Sequence, residues 1–147
     1  MTAFEELNSQ NHKLIESSNV LMYLLKERSM CDTDIACNLL YGFIDKLNDH
    51  MGVVGSLYQA LLNDNDQGTN NTARMFISGD QELKRIIKQY TKKWCMRNHK
   101  QLKIADHDMF TRDTIDLFEL VLTRIQDETE HLYPAVRKTR EKSKEAA

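Results

Sequence analysis

Residues 39–62 read LLYGFIDKLNDHMGVVGSLYQALL, and the spacing of their apolar side chains decides the fold class. Leu40, Phe43, Leu47, His50, Val54, Leu57 and Leu61 recur at alternating three- and four-residue steps. That period keeps one face of an α-helix turned toward a core. The same pattern recurs downstream. A third helix carries Phe76, Asp80, Leu83, Ile87, Tyr90 and Trp94, and a fourth carries Phe118, Val121, Ile125, Glu128, Leu132 and Ala135. A first helix is less regular, with Leu7, Leu14, Leu21 and Leu25 on one track and His12, Ile15 and Met22 on a neighbouring one.

Punctuation between these segments supports four long helices. The chain has one proline, Pro134, and five glycines in 147 residues, so little interrupts helix formation. Thr2 and Glu5 form a capping box that opens the first helix, expected to reach Arg28. Thr33 or Asp34 caps the second, ending near Asn63. The run NDNDQGTNNT over 63–72 reads as a loop, with Thr72 capping the third helix to about Asn98. Asp106 or Asp108 starts the fourth, and Pro134 is expected to kink or end it. The expected fold is all-α, an up-down-up-down four-helix bundle with helices over about 3–28, 33–63, 72–98 and 107–138. Residues 1–140 form one domain and 141–147 a charged C-terminal tail. The basic residues Arg137, Lys138, Arg140, Lys142 and Lys144 are diluted by Glu141 and Glu145 and read as a solvated helix end.

Composition narrows the function. Hydrophobic residues make up 41% and charged residues 29%, which suits a globular domain able to bury a core without disulfides. The net charge of −2, from interspersed opposite charges, gives no reason to expect nucleic acid as partner. Apolar runs fall far short of the roughly 20 residues that span a bilayer, so no membrane segment is expected. Cys31, Cys37 and Cys95 lack CxxC spacing and cannot all pair, which favours free thiols in a reducing cytoplasm. No glycine-rich phosphate loop, G-x-S-x-G or Cys–His nucleophile arrangement is recognisable, and no enzymatic activity is expected.

The ionisable residues that interrupt the apolar seams are the informative ones. With about 1.5 Å of rise per residue, depth along a bundle follows from sequence position. His12 lies sixteen residues below Arg28, His50 seventeen below Thr33, Asp80 eighteen below Asn98 and Glu128 twenty below Asp108. These four side chains are therefore expected in one layer. A buried carboxylate or imidazole costs several kcal/mol unless paired, neutralised or bound to a cation. Two imidazoles and two carboxylates in a bundle core suit a transition metal, or alternatively a metal-free hydrogen-bonded network. His99, His107 and His131 are expected at the surface. Met51, Met75, Phe76, Tyr90, Trp94 and Phe118 are expected to fill the core.

These residues resemble the hemerythrin-like (HHE cation-binding) family over nearly the whole chain. The resemblance lies in an early histidine in NHKLIESSNVLMYLL and in His50 followed by Leu57-Tyr58. It continues in Tyr90-Thr91-Lys92-Lys93-Trp94 and in the closing Glu128-Thr129-Glu130-His131-Leu132-Tyr133-Pro134, similar to the family's E-x-x-x-LYP. It implies a bundle that commonly holds two irons and serves oxygen carriage, sensing or iron handling. By matching position, His12, His50 and Glu128 are implied metal ligands, and layer geometry adds Asp80. The departures are Val54 where the family has a helix-two glutamate, Arg124 where many members have a helix-four histidine, and no histidine between His50 and His99. Arg124 also stands one turn before Glu128, placed to pair with it and remove the need for metal. The expected function is thus a regulatory, sensing or interaction module with a reduced or lost metal site. The alternative is a protein holding one iron or zinc, or two irons, that senses oxygen or nitric oxide through a diatomic ligand or handles iron. A protein partner or a second copy of the chain is compatible with either.

Overall fold

The structure, a computed structural model, describes residues 3–96 and 98–146, so the Thr2 capping box lies outside the described residues. Six α-helices follow one another: α1 (Ala3–Leu25), α2 (Asp34–Gly55), α3 (Tyr58–Leu62), α4 (Gln67–Trp94), α5 (His107–Asp127) and α6 (Tyr133–Ala146). A 3-10 turn (Arg28–Asp32) joins α1 to α2, and a π-helical turn (Glu128–Leu132) joins α5 to α6. No strand occurs among the described residues, only an isolated bridge between Cys95 and Leu102.

The long elements form a four-helix bundle. α1 packs between α2 and α5, and α4 packs between the same two. Side-chain contacts fix the directions. Gln10 meets His50 and His107 meets Leu25, while Asp80 meets Arg124 and Tyr90 meets Thr114. Every neighbouring pair is therefore antiparallel, the up-down-up-down order.

Local chemistry moved several boundaries. Asp66, not Thr72, caps α4: its carboxylate accepts from the Thr69 backbone N–H, so half of the expected loop is helix. Asn70, inside that stretch, donates from Nδ2 to the carbonyls of Leu61 and Asp64, satisfying the end of α3. The second helix breaks at Ser56, where Gly52, Gly55 and a serine hydroxyl bonded back to Val53 weaken the turn. α4 stops at Trp94 because Cys95 turns extended and pairs with Leu102.

Pro134 does not end the helical run, which continues beyond it as α6. The π turn precedes it, with the Tyr133 N–H reaching back five residues to the Glu128 carbonyl. That wider turn makes room for a ring that lacks an N–H and clashes in a regular helix. The chain then continues helical to Ala146, through most of the expected tail. The extra residue in the π turn shifts the seam by one position, so Val136, fully buried, takes the place expected for Ala135.

All the other seam residues of the second, third and fourth helices are buried. The buried apolar side chains form two clusters. One holds Leu47, Met51, Leu83, Phe118 and Ile125, the other Leu7, Val54, Leu61, Phe76 and Leu132. A polar residue stands at the boundary between them on α1, α2 and α4 and in the π turn that follows α5: Asn11, His50, Asp80 and Glu128. Met75 is the exception among the expected core fillers, being 75% exposed. It lies one position off the seam, and Phe76 takes the buried place.

Candidate functional site: a buried ion network between two apolar cores

The boundary between the clusters is a connected set of charged and polar side chains. Glu128, at the start of the π turn, is buried and takes His50 Nε2 on Oε1 at 2.8 Å. A carboxylate only accepts, so the imidazole donates there. The same oxygen accepts from the Tyr133 hydroxyl at 3.3 Å. On the other side of His50, Nδ1 meets the Gln10 carboxamide at 2.8 Å. A carboxamide presents either its oxygen or, turned over, its amino group, so Gln10 can accept from Nδ1 or donate to it while Nε2 donates to Glu128.

Arg124 is the centre of the second half. The two N–H of its Nη2 lie within hydrogen-bonding distance of three acceptors: Asp80 Oδ1, the Phe76 carbonyl at 2.7 Å and the Tyr58 hydroxyl at 3.0 Å. The Tyr58 hydroxyl itself donates to Asp80 Oδ2. Arg124 Nε faces Glu128 Oε2 at 3.5 Å, a charge contact without a hydrogen bond. One guanidinium thus serves both buried carboxylates. Its Cζ lies 4.4 Å from the centre of the Phe76 ring, adding a cation–π contact. Gly79 makes the crossing possible, because a Cβ there would lie 2.6 Å from Arg124 Nη1. A cleft of about 470 Å³ that includes Met75, Asp127 and His131 reaches Arg124 from outside.

The two phenols are tuned by the same surroundings. Burial first, then the hydrogen bond to Asp80, hold the Tyr58 phenol above its ordinary value. Burial and the neighbouring Glu128 charge do the same for Tyr133. Both therefore stay neutral donors in the core.

Of the four residues expected in the layer, His50, Asp80 and Glu128 come together. His12 does not. Its side chain is 73% exposed and pairs with Glu16 on the surface of α1 at 3.1 Å. The buried track of α1 is Leu7, Asn11, Leu14, Ser18, Leu21 and Leu25, a strict four-three alternation that puts Asn11 in the layer. With its two polar members, Asn11 and Ser18, included, α1 is as regular as the other long helices. Asn11 Nδ2 donates to the Tyr133 hydroxyl at 3.2 Å, and its buried Oδ1 has no hydrogen-bond partner among the described residues. Tyr58 and Tyr133 could not be assigned to the network from spacing, since the Ser56 break and the π turn rotate them inward. Of the other histidines, His99 and His131 are exposed. His107 is instead half-buried, with Nε2 at 2.9 Å from the Leu25 carbonyl, tying α5 to the end of α1.

The donor set does not fit a first-row dication. Such an ion needs at least three converging donors with free lone pairs. Here Asp80 and Glu128 are both engaged by the Arg124 guanidinium, and a dication beside that cation meets strong repulsion. Val54, one turn after His50, is apolar and fully buried. Among the described residues no group of three or more His, Cys, Asp or Glu side chains is disposed to hold a metal. No protein-family model, characterised protein or solved structure matches this chain.

Proposed function

We propose that this chain is a divergent hemerythrin-like bundle in which an arginine-centred ion network stands where relatives hold metal. It acts as a regulatory, sensing or protein-interaction module and carries no catalytic activity. The observation that supports this reading is the position of Arg124, whose guanidinium reaches Asp80 and Glu128 together. The position that matches a family histidine by sequence thus carries the positive charge that the buried carboxylates require.

The reading is tested by elemental analysis and an optical spectrum of the purified protein, and by the double variant Val54→Glu/Arg124→His. The wild type is expected to hold far less than one equivalent of iron or zinc. The double variant restores two positions of the resembling family and is expected to bind zinc, with a melting temperature that rises on metal addition. Stoichiometric metal in the wild type would overturn the proposal in favour of the metal-binding reading. A double variant indifferent to metal would remove the link to the hemerythrin-like family.

A further inference from the structure

The charges of the chain are unevenly placed. Between Lys84 and Lys103 there are eight Lys or Arg and no Asp or Glu, in a chain of net charge −2, so the remainder carries −10. On α4, Lys84, Lys88 and Lys92 follow one another at four-residue spacing, and like charges so placed destabilise a helix. Their neighbours on other faces are neutralised: Arg85 by Glu82 and Lys93 by Asp113. Lys88 and Lys92 are in no ion pair among the described residues. The helix dipole accounts for a lysine in the last turn, such as Lys92, but not for Lys88.

Lys88 and Lys92 line one cleft of about 740 Å³ between α2 and α4, and Lys103 enters it from the connection that follows α4. Its walls include Ile44 and Met96, and Asp45 is its one carboxylate. The upper end is held in shape. The Tyr41 hydroxyl lies within hydrogen-bonding distance of three backbone carbonyls, Met96 at 3.1 Å, His99 at 3.0 Å and Gln101 at 2.8 Å. Leu102 is bridged to Cys95, and the Lys103 N–H is bonded to the Trp94 carbonyl at 2.8 Å. The backbone at Lys103 is thereby held at the rim of the cleft. Three lysines that form no ion pair among the described residues, lining a partly apolar hollow of this size, match a small ligand rather than a duplex or a flat protein face.

We infer that this cleft binds a small phosphate-bearing organic anion, with its phosphates on Lys88, Lys92 and Lys103 and its apolar body against Ile44 and Met96. Lysine serves here as a point-charge phosphate partner, and affinity falls as salt rises. The site is separate from the Arg124 network, and the inference does not depend on the proposed function.

The test is titration of the full chain with mant-labelled ADP in metal-free, low-salt buffer, followed by fluorescence anisotropy, with inorganic pyrophosphate as competitor. Saturable binding below about 1 mM, displaced by pyrophosphate, is expected. Lys88→Glu/Lys92→Glu weakens it by about tenfold or more, whereas Lys13→Glu/Lys46→Glu, the same charge change elsewhere, alters it by less than about twofold. Lys88→Gln/Lys92→Gln also weakens binding, while its melting temperature holds or rises because the like-charge repulsion is relieved. That separates lost binding from lost fold. Absence of saturation, or equal loss in the control variant, overturns the inference. Displacement by duplex DNA or polyglutamate at lower concentration than by pyrophosphate overturns it as well, giving the face to a macromolecule.

Discussion

Arg124 crosses from α5 to α4 directly over Gly79, so closely that a methyl group on Gly79 would sit 2.6 Å from Nη1. Elsewhere the end of an arginine side chain swings away from such a contact at little cost. This one is held by Asp80, the Phe76 carbonyl and the Tyr58 hydroxyl. Gly79→Ala therefore acts on the ion network, although alanine alone favours a helix by about 1 kcal/mol. The variant is expected to lose about 1–2 kcal/mol net. In an Arg124→Met background the obstruction is gone, and the same substitution is expected to stabilise. A denaturant double-mutant cycle measures the sign in both backgrounds, and equal effects would break the link between the two residues.

Removal of Arg124 itself leaves Asp80 and Glu128 without their common counter-charge. Arg124→Met is expected to cost about 3–5 kcal/mol, the range for stranding buried charge. Adding Asp80→Asn and Glu128→Gln removes the stranded charges and is expected to return part of that loss. Urea melts of the single and triple variants decide it, and a triple variant weaker than the single one would contradict the account.

On α1 the structure separates two adjacent residues. His12→Ala removes an exposed side chain paired with Glu16 on the surface and is expected to shift stability by less than about 0.5 kcal/mol. Asn11→Ala opens the buried layer and frees a partner of Tyr133, at a cost of about 1–2 kcal/mol. The reverse ranking in thermal melts would restore His12 to the site.

Val54 is fully buried one turn beyond His50. Val54→Glu alone places a third carboxylate against a network whose cation is already shared by two. A loss of several kcal/mol is expected, or protonation of the new group with a smaller loss at low pH. An unchanged melting temperature at pH 7 would show that the layer has positive charge to spare.

Tyr90 gives a pH prediction away from the network. Burial raises its phenol above the ordinary value of 10.0, and the 2.7 Å contact with Thr114 only partly opposes that. Above pH about 10 the unfolded chain releases this proton and the folded chain retains it, so stability falls as pH rises. The contribution is complete below the unfolded value and is lost on the way up to the folded one. Tyr90→Phe loses a hydrogen bond worth about 1 kcal/mol at neutral pH, but the gap to wild type narrows above pH 10. A gap that stays constant to pH 11 would refute the assignment.

The seams of the second and third helices were legible because burial there follows helical period alone. The fourth was legible only as far as Glu128. Beyond it the π turn inserts a residue, and Val136 replaces Ala135 in the core. Asn11 was legible in principle, since it completes the alternation from Leu7 to Leu25. His12 stands one position off that alternation, and Asn11, at the correct spacing, occupies the layer. Asp66 as the cap of α4 was likewise hidden by a run in which nearly every residue suits a turn.

Sequence alone determined the four long amphipathic helices, the antiparallel bundle that short connections impose and three of the polar positions in its core. These follow from local periodicity, which a helix converts directly into a buried face. Tertiary structure decided what those polar residues do. Whether Arg124 reaches one carboxylate or both depends on the notch at Gly79, on the inward turn of Tyr58 and on the meeting of α4 with α5. Those are distances between segments far apart in the chain, and no spacing within a single helix encodes them.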